Sequence, residues 1–112
     1  MKLINKTSGA VLAENVELAD TFKKRLVGLL GRGSLPEGAA LYLAPCQQVH
    51  TFFMRFTMDA VFVNARGKAL KVLHEMPPWR VSPWVFGARG VYELTAGALS
   101  GKITEGDQLL LS

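Results

Sequence analysis

Two apolar segments on either side of a tight turn restrict the folds open to this chain. Residues 59–64 and 68–74 are rich in valine, alanine and leucine, and the turn Asn64-Ala65-Arg66-Gly67 joins them. Asparagine and glycine at these places are typical of a β-hairpin, because glycine adopts the left-handed backbone conformation of a bulged loop without a steric penalty. The two segments are therefore predicted to pair as antiparallel strands.

Further short strands and one helix are predicted along the chain. The strand segments are residues 2–5, 10–18, 41–43, 50–57, 91–95 and 108–111. Residues 50–57 carry apolar side chains on both faces, which is typical of a central strand. A short α-helix is predicted near residues 20–31, since Phe22, Leu26 and Leu29 recur at the helical spacing. Many short strands with one helix predict a mainly β (α+β) fold, a compact β-sandwich or a partly open barrel.

Composition limits the classes to which the protein can belong. The chain has 112 residues, 49% of them hydrophobic, which suits a single domain over residues 1–112 with its own core. The lone Cys46 excludes an internal disulfide framework and a thiolate-rich metal site. No apolar run approaches the roughly 20 residues of a membrane-spanning helix, and residues 1–7 lack the pattern of a signal peptide. We therefore expect a cytoplasmic protein without a membrane span.

Two acidic residues interrupt apolar strands and are the strongest candidates for chemistry. Asp59 precedes an apolar run, and Glu93 lies within the predicted strand 91–95. A buried carboxylate is costly unless it is paired, so one interpretation of Asp59 is an ion pair or a turn-capping role. The other interpretation makes Asp59 a general acid or base, or a ligand anchor, and together with Glu93 and His50 it predicts a hydrolase-like site. The arginines available for an ion pair are Arg25, Arg55 and Arg89.

Neither a catalytic cysteine nor a metal site is favoured by the spacing of the remaining candidates. Cys46 lies four residues before His50, and such a pair can be a nucleophile and its base. A lone cysteine is more often a small buried hydrophobe. The side chains able to ligate zinc or iron are His50, His74, Asp59 and Glu75, which form no recognised motif. No metal and no cofactor are therefore predicted.

Aromatic and basic residues cluster in the irregular segment 76–90. Trp79, Trp84 and Phe86 lie there, next to Arg80 and Arg89. Exposed tryptophans beside arginines can stack on sugar rings or on bases. The alternative is that these large side chains are buried and close one end of the sandwich.

The distribution of charge argues against a nucleic-acid-binding protein. The net charge is +4, and the basic residues are spread along the chain. The one short run, Lys23-Lys24-Arg25, is typical of a solvated helix face. No aromatic RNA-binding signature or recognition-helix motif accompanies it.

Several blocks of residues in this sequence resemble, in the same order, the blocks of one known family. The blocks cover nearly the whole chain and are residues 21–32, 50–62, 64–68, 92–97 and 105–107. Together they are similar to the family known as domain of unknown function 192. The resemblance implies a compact, mostly β domain of sandwich or jelly-roll character, and it implies no established activity, cofactor or substrate.

The chain departs from the family pattern in its second block. Many relatives have Trp-Met-Lys-Asn-Thr where this chain has Phe53-Met54-Arg55-Phe56-Thr57, so the asparagine is missing. Many relatives also carry a signal or lipoprotein sequence, which this chain does not show. The polar positions that fit the family pattern best are Arg25, Arg32, Arg55, Asp59 and Glu93.

The leading hypothesis is a small non-catalytic domain that binds a small molecule or a protein partner. Its predicted ligand-binding residues are Arg55, Asp59, Trp79, Trp84 and Arg89. One alternative is a hydrolase-like enzyme that uses His50, Asp59 and Glu93, and another is a nucleic-acid accessory protein. The absence of a motif with catalytic spacing favours the binding domain. The sequence makes no prediction of oligomeric state.

Overall fold

Eight β-strands run through residues 1–19, 35–52 and 55–112, the part of the chain that the computed structural model describes. They are β1 (Leu3–Asn5), β2 (Val11–Ala13), β3 (Asn15–Ala19), β4 (Ala39–Leu43), β5 (Met58–Val63), β6 (Ala69–Met76), β7 (Gly90–Thr95) and β8 (Leu109–Leu111). The strand predicted over 10–18 is divided at Glu14 into β2 and β3, which belong to different sheets. The other predicted strands, except that at 50–57, are present with ends that shift by a residue or two. The helix predicted near residues 20–31 lies outside the described residues, which themselves contain no helix.

The strands form two sheets. One has the order β2-β1-β8 and is antiparallel, and the other has the order β3-β4-β7-β5-β6. In the larger sheet β3 runs parallel to β4, and the other neighbours are antiparallel. Leu3 of β1 lies opposite Leu111 of β8, so strands from the two ends of the sequence lie side by side. The mainly β class is confirmed, and the two sheets do not close into a barrel.

The predicted hairpin joins β5 to β6. The Asn64 side-chain oxygen accepts hydrogen bonds from the N–H groups of Arg66 at 2.9 Å and Lys68 at 3.0 Å. Gly67 has a φ of 82°, the left-handed conformation that the turn requires. The turn therefore forms by the mechanism that its sequence predicts.

The central strands of the five-stranded sheet, β5 and β7, are buried on both faces. Every residue of β5 is buried, and its side chains alternate between two core clusters. Val61 and Val63 point to what we call the inner face, where the three-stranded sheet contributes Leu3, Leu12 and Leu109. Such two-sided burial leaves no solvated side of this strand.

The opposite side of the sheet, which we call the loop face, is covered in part by irregular chain. Met58, Ala60 and Phe62 of β5 point to this face. Val49 from segment 44–52, and Val85 and Ala88 from segment 77–89, pack in the same cluster. These two segments therefore form a layer over the sheet.

The prediction of a central strand at 50–57 is wrong for the residues that are described there. Residues 50–52 and 55–57 form no strand, and His50 makes an isolated bridge with Val81. The reason lies in Thr51, whose N–H donates to the Arg80 carbonyl at 2.8 Å and whose carbonyl accepts the Trp79 N–H at 2.9 Å. This segment pairs with a loop rather than with the sheet.

Among the described residues, no helix has the length and apolar character needed to cross a membrane.

Gly90 begins β7 at a place where a side chain has no room. A Cβ atom there would lie 2.5 Å from the Tyr42 hydroxyl oxygen and 2.7 Å from the Leu43 carbonyl oxygen. Because the Leu43 atom is backbone of the paired strand, we expect Gly90→Ala to lower the free energy of unfolding by about 2–3 kcal/mol. Urea denaturation measures this loss.

The matched control for that variant is Gly97→Ala. A Cβ atom at position 97 meets nothing within 4 Å, but the φ of 86° still disfavours a side chain. We expect this control to lose about 1 kcal/mol. Equal losses from the two variants would contradict the steric role of Gly90.

Candidate functional site

Asp59 is fully buried and is held by backbone groups. Its Oδ1 accepts the N–H of Glu75 at 2.8 Å, and its Oδ2 accepts the N–H of Leu99 at 2.9 Å. The carboxylate thereby ties β6 and the turn after β7 to β5. A carboxylate that accepts charge-assisted bonds from backbone N–H groups is compensated without a cation.

The expected arginine partner of Asp59 is not found among the described residues. Within those residues a side-chain ion pair forms elsewhere, between Lys2 Nζ and Glu14 Oε2, which lie 3.6 Å apart on the protein surface. Two backbone donors already satisfy the Asp59 carboxylate, so a buried guanidinium is not needed. Of the two interpretations of Asp59, the geometry favours the structural, turn-capping one.

Glu93 lies on the other side of the same sheet. The register pairs Asp59 with Leu94 and Ala60 with Glu93. Because neighbours along a strand point to opposite faces, Asp59 points to the inner face and Glu93 to the loop face. This one-residue offset separates the two carboxylates by the thickness of the sheet.

The Glu93 side chain is only 4% exposed. Burial raises the pKa of Glu93 to about 8, because removal from water disfavours the charged form. No hydrogen bond to its carboxyl group comes from the described residues. Glu93 is therefore protonated at neutral pH in the folded protein.

His50 is exposed and does not complete a catalytic set. Its Nδ1 accepts the backbone N–H of Phe52 at 3.3 Å, and its ring stacks on Phe52 with centroids 5.2 Å apart. Asp59 and Glu93 lie on opposite faces of the sheet, so the structure does not bring the three predicted catalytic residues into one pocket. The Cys46 thiol donates a hydrogen bond to the Gln48 carbonyl oxygen at 3.2 Å. The acceptor of this hydrogen bond is therefore not His50.

The described side chains form no metal site. Within residues 1–19, 35–52 and 55–112, no three His, Cys, Asp or Glu side chains come together in a way that could hold an ion.

The largest apolar side chains of the irregular segments are exposed to solvent. We define the aromatic surface as Phe52, Trp79, Val81, Trp84 and Phe86. Trp79 is 56% exposed, Trp84 54% and Phe86 86%. These aromatic side chains therefore project outward and do not close an end of the sandwich by burial.

The rings of the aromatic surface contact one another. The Phe52 centroid lies 5.9 Å from that of Trp79, and the Trp84 and Phe86 rings meet edge to face at 6.5 Å. Each distance is within the range of favourable aromatic pairs. The rings thus form two small clusters.

Hydrogen bonds hold the backbone beneath these rings. The fully buried Thr51 hydroxyl donates to the Pro77 carbonyl at 2.6 Å and accepts the Arg80 N–H at 2.8 Å. The Ser82 N–H donates to the Val49 carbonyl at 2.9 Å, and the Ser82 hydroxyl accepts the Val49 N–H at 3.0 Å. The loop is therefore fixed to segment 44–52 at two buried hydroxyl groups.

The surroundings of the aromatic surface carry positive charge. Arg55, Arg80 and Arg89 are exposed, and the sequence has no Asp or Glu in 44–58 or 76–92. Of the predicted ligand-binding residues, the two tryptophans and the two arginines (Arg55 and Arg89) are accessible. Asp59 is sealed from solvent.

Sequence reasoning missed Phe52 and Val81 as members of this surface. Phe52 lies in the segment 50–57, which the sequence predicts to be a central strand, and Val81 has no periodic neighbour. The pairing of 50–52 with 79–82 brings Phe52 to Trp79 and places Val81 opposite His50. The proline-rich composition of 76–90 is the signal that marks the segment as a loop.

A cleft of about 610 Å³ lies away from these residues. It is bordered by β2, residues 35–38 and residues 95–98, and its charged side chains Glu14, Glu37 and Lys102 are exposed. It contains none of the predicted site residues.

Comparison with known proteins finds uncharacterised relatives. The family model DUF192, described as "Uncharacterized ACR", matches residues 3–111. A UPF0127 protein of Pyrococcus furiosus is 32% identical over an alignment of 119 positions. The alignment covers 96% of this chain and 95% of the relative. A UPF0127 protein of Thermococcus sibiricus is 31% identical over 102 residues, which cover 87% of this chain. The match spans 65% of the Thermococcus protein.

Two solved structures share the fold. A protein of unknown function from Novosphingobium aromaticivorans has a TM-score of 0.83 and 19% identity, with 99% of this chain and 84% of that chain covered. A Sinorhizobium meliloti protein, proposed to be a transcription regulator, has a TM-score of 0.79 and 21% identity, with 97% and 89% covered. At these identities the likeness shows the fold alone.

Removing one charge-assisted bond of Asp59 tests its structural role. In Asp59→Asn, the amide nitrogen would face one of the two backbone N–H donors, so one bond is replaced by a donor–donor contact. We expect the free energy of unfolding to fall by about 2–3 kcal/mol. Urea denaturation measures the loss, and Glu75→Gln, an exposed neighbour, should change stability by less than about 0.5 kcal/mol. A fully stable Asp59→Asn variant would contradict this role.

Glu93 predicts a stability that depends on pH. Its pKa is raised from the ordinary 4.5 to about 8 on folding, so the folded protein keeps a proton that the unfolded chain releases. The stabilisation is complete below about pH 4.5 and is lost as the pH rises through about 8. Each pH unit in this window is worth at most about 1.4 kcal/mol.

The isosteric variant Glu93→Gln cannot titrate and should remove this dependence. Unfolding midpoints in urea, measured from acidic to mildly alkaline pH, should decline for the wild type and stay flatter for the variant. Glu14→Gln, at an exposed position, should behave like the wild type. Parallel profiles for the wild type and Glu93→Gln would show that Glu93 is not the responsible group.

Proposed function

The chain belongs to the DUF192 family of uncharacterised proteins, as its sequence blocks predict, and we propose that it is a non-catalytic binding domain whose aromatic surface docks onto a partner. In this proposal residues 1–112 act as one domain, and the two sheets form a jelly-roll-like sandwich. The sheets serve as the rigid support, and the segments 44–52 and 77–89 carry the contact residues.

One observation carries the proposal, which is the exposure of several large apolar side chains on the segments 44–52 and 77–89. Phe52, Trp79, Val81, Trp84 and Phe86 are between 36% and 86% exposed. Contiguous apolar surface on a folded protein marks interaction sites, and tryptophan is enriched among the residues that dominate binding energy. A structural role would instead bury these side chains.

The fixed backbone under the surface supports binding. Ordering a loop on association costs free energy, which weakens the complex. Here Thr51 and Ser82 already hold the loop through buried hydroxyl groups. Folding has therefore already ordered the main chain of the loop, so association does not have to supply that free energy.

The contact set that we propose omits Asp59 from the sequence prediction and adds Phe52, Val81 and Phe86. Arg55, Trp79, Trp84 and Arg89 remain as ligand-binding residues, whereas Asp59 contributes from the interior by positioning β6. A hydrolase mechanism has no support from the geometry, because Asp59 and Glu93 point to opposite faces.

The tryptophans allow a direct test. Trp79 and Trp84 are the two tryptophans of the chain, so its tryptophan fluorescence comes entirely from the aromatic surface. A bound partner should shift the emission to the blue and protect it from acrylamide quenching. The probes are an oligothymidine, a peptide of alternating glutamate and leucine, and anionic phospholipid vesicles. At least one of them should give saturable protection.

Variants separate binding from folding in this test. Phe86→Ala should weaken the saturable binding and leave the free energy of unfolding within about 0.5 kcal/mol of the wild type. Leu110→Ala alters a side chain that is 47% exposed on β8, and it should leave binding unchanged. The proposal fails if none of the three probes protects the tryptophans.

A further inference from the structure

We propose that the occupant of the aromatic surface is the interface of an anionic lipid bilayer, into which Trp79, Trp84 and Phe86 insert while the neighbouring arginines contact lipid phosphates. This inference rests on the proposed function and names its partner. It concerns docking of the loop at the membrane surface and involves no membrane-spanning segment.

Charge selects a negatively charged occupant. The segments 44–58 and 76–92 contain three arginines and no acidic residue. Arg80 and Arg89 flank the exposed aromatic residues in sequence and are themselves exposed. Basic residues close to a bilayer are attracted by the negative potential of anionic headgroups.

The arrangement of the rings favours an apolar medium over stacked bases. The Phe52 ring contacts His50 on one side and Trp79 on another, at centroid distances of 5.2 and 5.9 Å. A base-stacking platform presents open ring faces to successive bases. Here the Phe52 ring packs on two other rings, and Val81, an aliphatic side chain 53% exposed, belongs to the same surface.

Most backbone N–H groups of segment 77–89 are hydrogen-bonded within the protein. Pro77, Pro78 and Pro83 have no N–H group. Six other N–H groups of segment 77–89 donate to protein acceptors, namely those of Trp79, Arg80, Ser82, Val85, Ala88 and Arg89. Peptide groups that are satisfied internally lower the cost of entering the bilayer interface.

The tryptophans suit the depth at which such a loop would lie. Tryptophan is enriched at membrane interfaces because its ring is apolar and its indole N–H is a donor. Trp84 donates no hydrogen bond to the described residues and is 54% exposed. Its N–H can therefore donate to a lipid carbonyl or phosphate oxygen.

A vesicle assay with the full chain tests the inference. Vesicles of equal parts phosphatidylcholine and phosphatidylglycerol should sediment the protein and shift its emission to the blue. Lipids brominated in their acyl chains should quench that emission, because both fluorophores lie on the inserted surface. Vesicles of phosphatidylcholine alone should bind more weakly.

Substitutions separate the contribution of the aromatic residues to membrane binding from that of the arginines. Phe86→Ala and Trp84→Ala should each weaken partitioning by about tenfold or more. Arg80→Gln and Arg89→Gln should each weaken it by about fivefold on anionic vesicles and leave binding to neutral vesicles nearly unchanged. Arg66→Gln, an exposed arginine in the hairpin turn, and Leu110→Ala are the matched controls and should behave like the wild type.

The outcomes separate this inference from the proposed function. Protection of the tryptophans by the acidic peptide or the oligothymidine, with no response to anionic vesicles, would overturn the membrane assignment and keep the binding domain. Sedimentation that is insensitive to Phe86→Ala and Trp84→Ala would also overturn it. Absence of protection by all three probes would overturn both proposals.

Discussion

The burial of the central strands β5 and β7 on both faces is the constraint on which the rest of the molecule depends. Every residue of β5 is inaccessible to solvent, so a polar group in this part of the sheet has no water to bind. Asp59 meets this condition by accepting two backbone N–H groups, and Glu93 meets it by keeping its proton. Among the described residues, each acid is thus accommodated by a different physical route.

How far the sequence predicts this structure depends on whether a signal is local. The Asn64–Gly67 turn and its flanking strands were predictable because the turn chemistry and the apolar runs lie next to each other in sequence. The strand predicted at 50–57 is wrong for the described residues. Apolar side chains on two faces also occur in a loop segment that buries some of its residues and exposes others, such as Phe52. The family was identifiable from blocks spread over the chain.

The candidate site was predictable only in part. The tryptophans and arginines of 76–90 are visible in sequence, but their exposure depends on the buried Thr51 and Ser82, which fix the loop from a distant segment. The relation between Asp59 and Glu93 depends on strand register, since a shift of one residue would place them on the same face. The residue pattern of one strand does not show which residues of the neighbouring strand lie opposite it. The hydrolase alternative could therefore be judged only from the paired strands.

The side-by-side position of β1 and β8 has a consequence for folding. The hairpin of β5 and β6 closes a loop of a few residues, whereas Leu3 meets Leu111 across nearly the whole chain. Loop-closure entropy grows with the length enclosed, so we expect the three-stranded sheet to form later than the hairpin. Until it forms, Val61, Tyr92 and Leu94 on the inner face lack their cover. A chain that lost β8 would lack Leu109 at the inner face and would leave one edge of β1 unpaired, so we expect it to aggregate more readily.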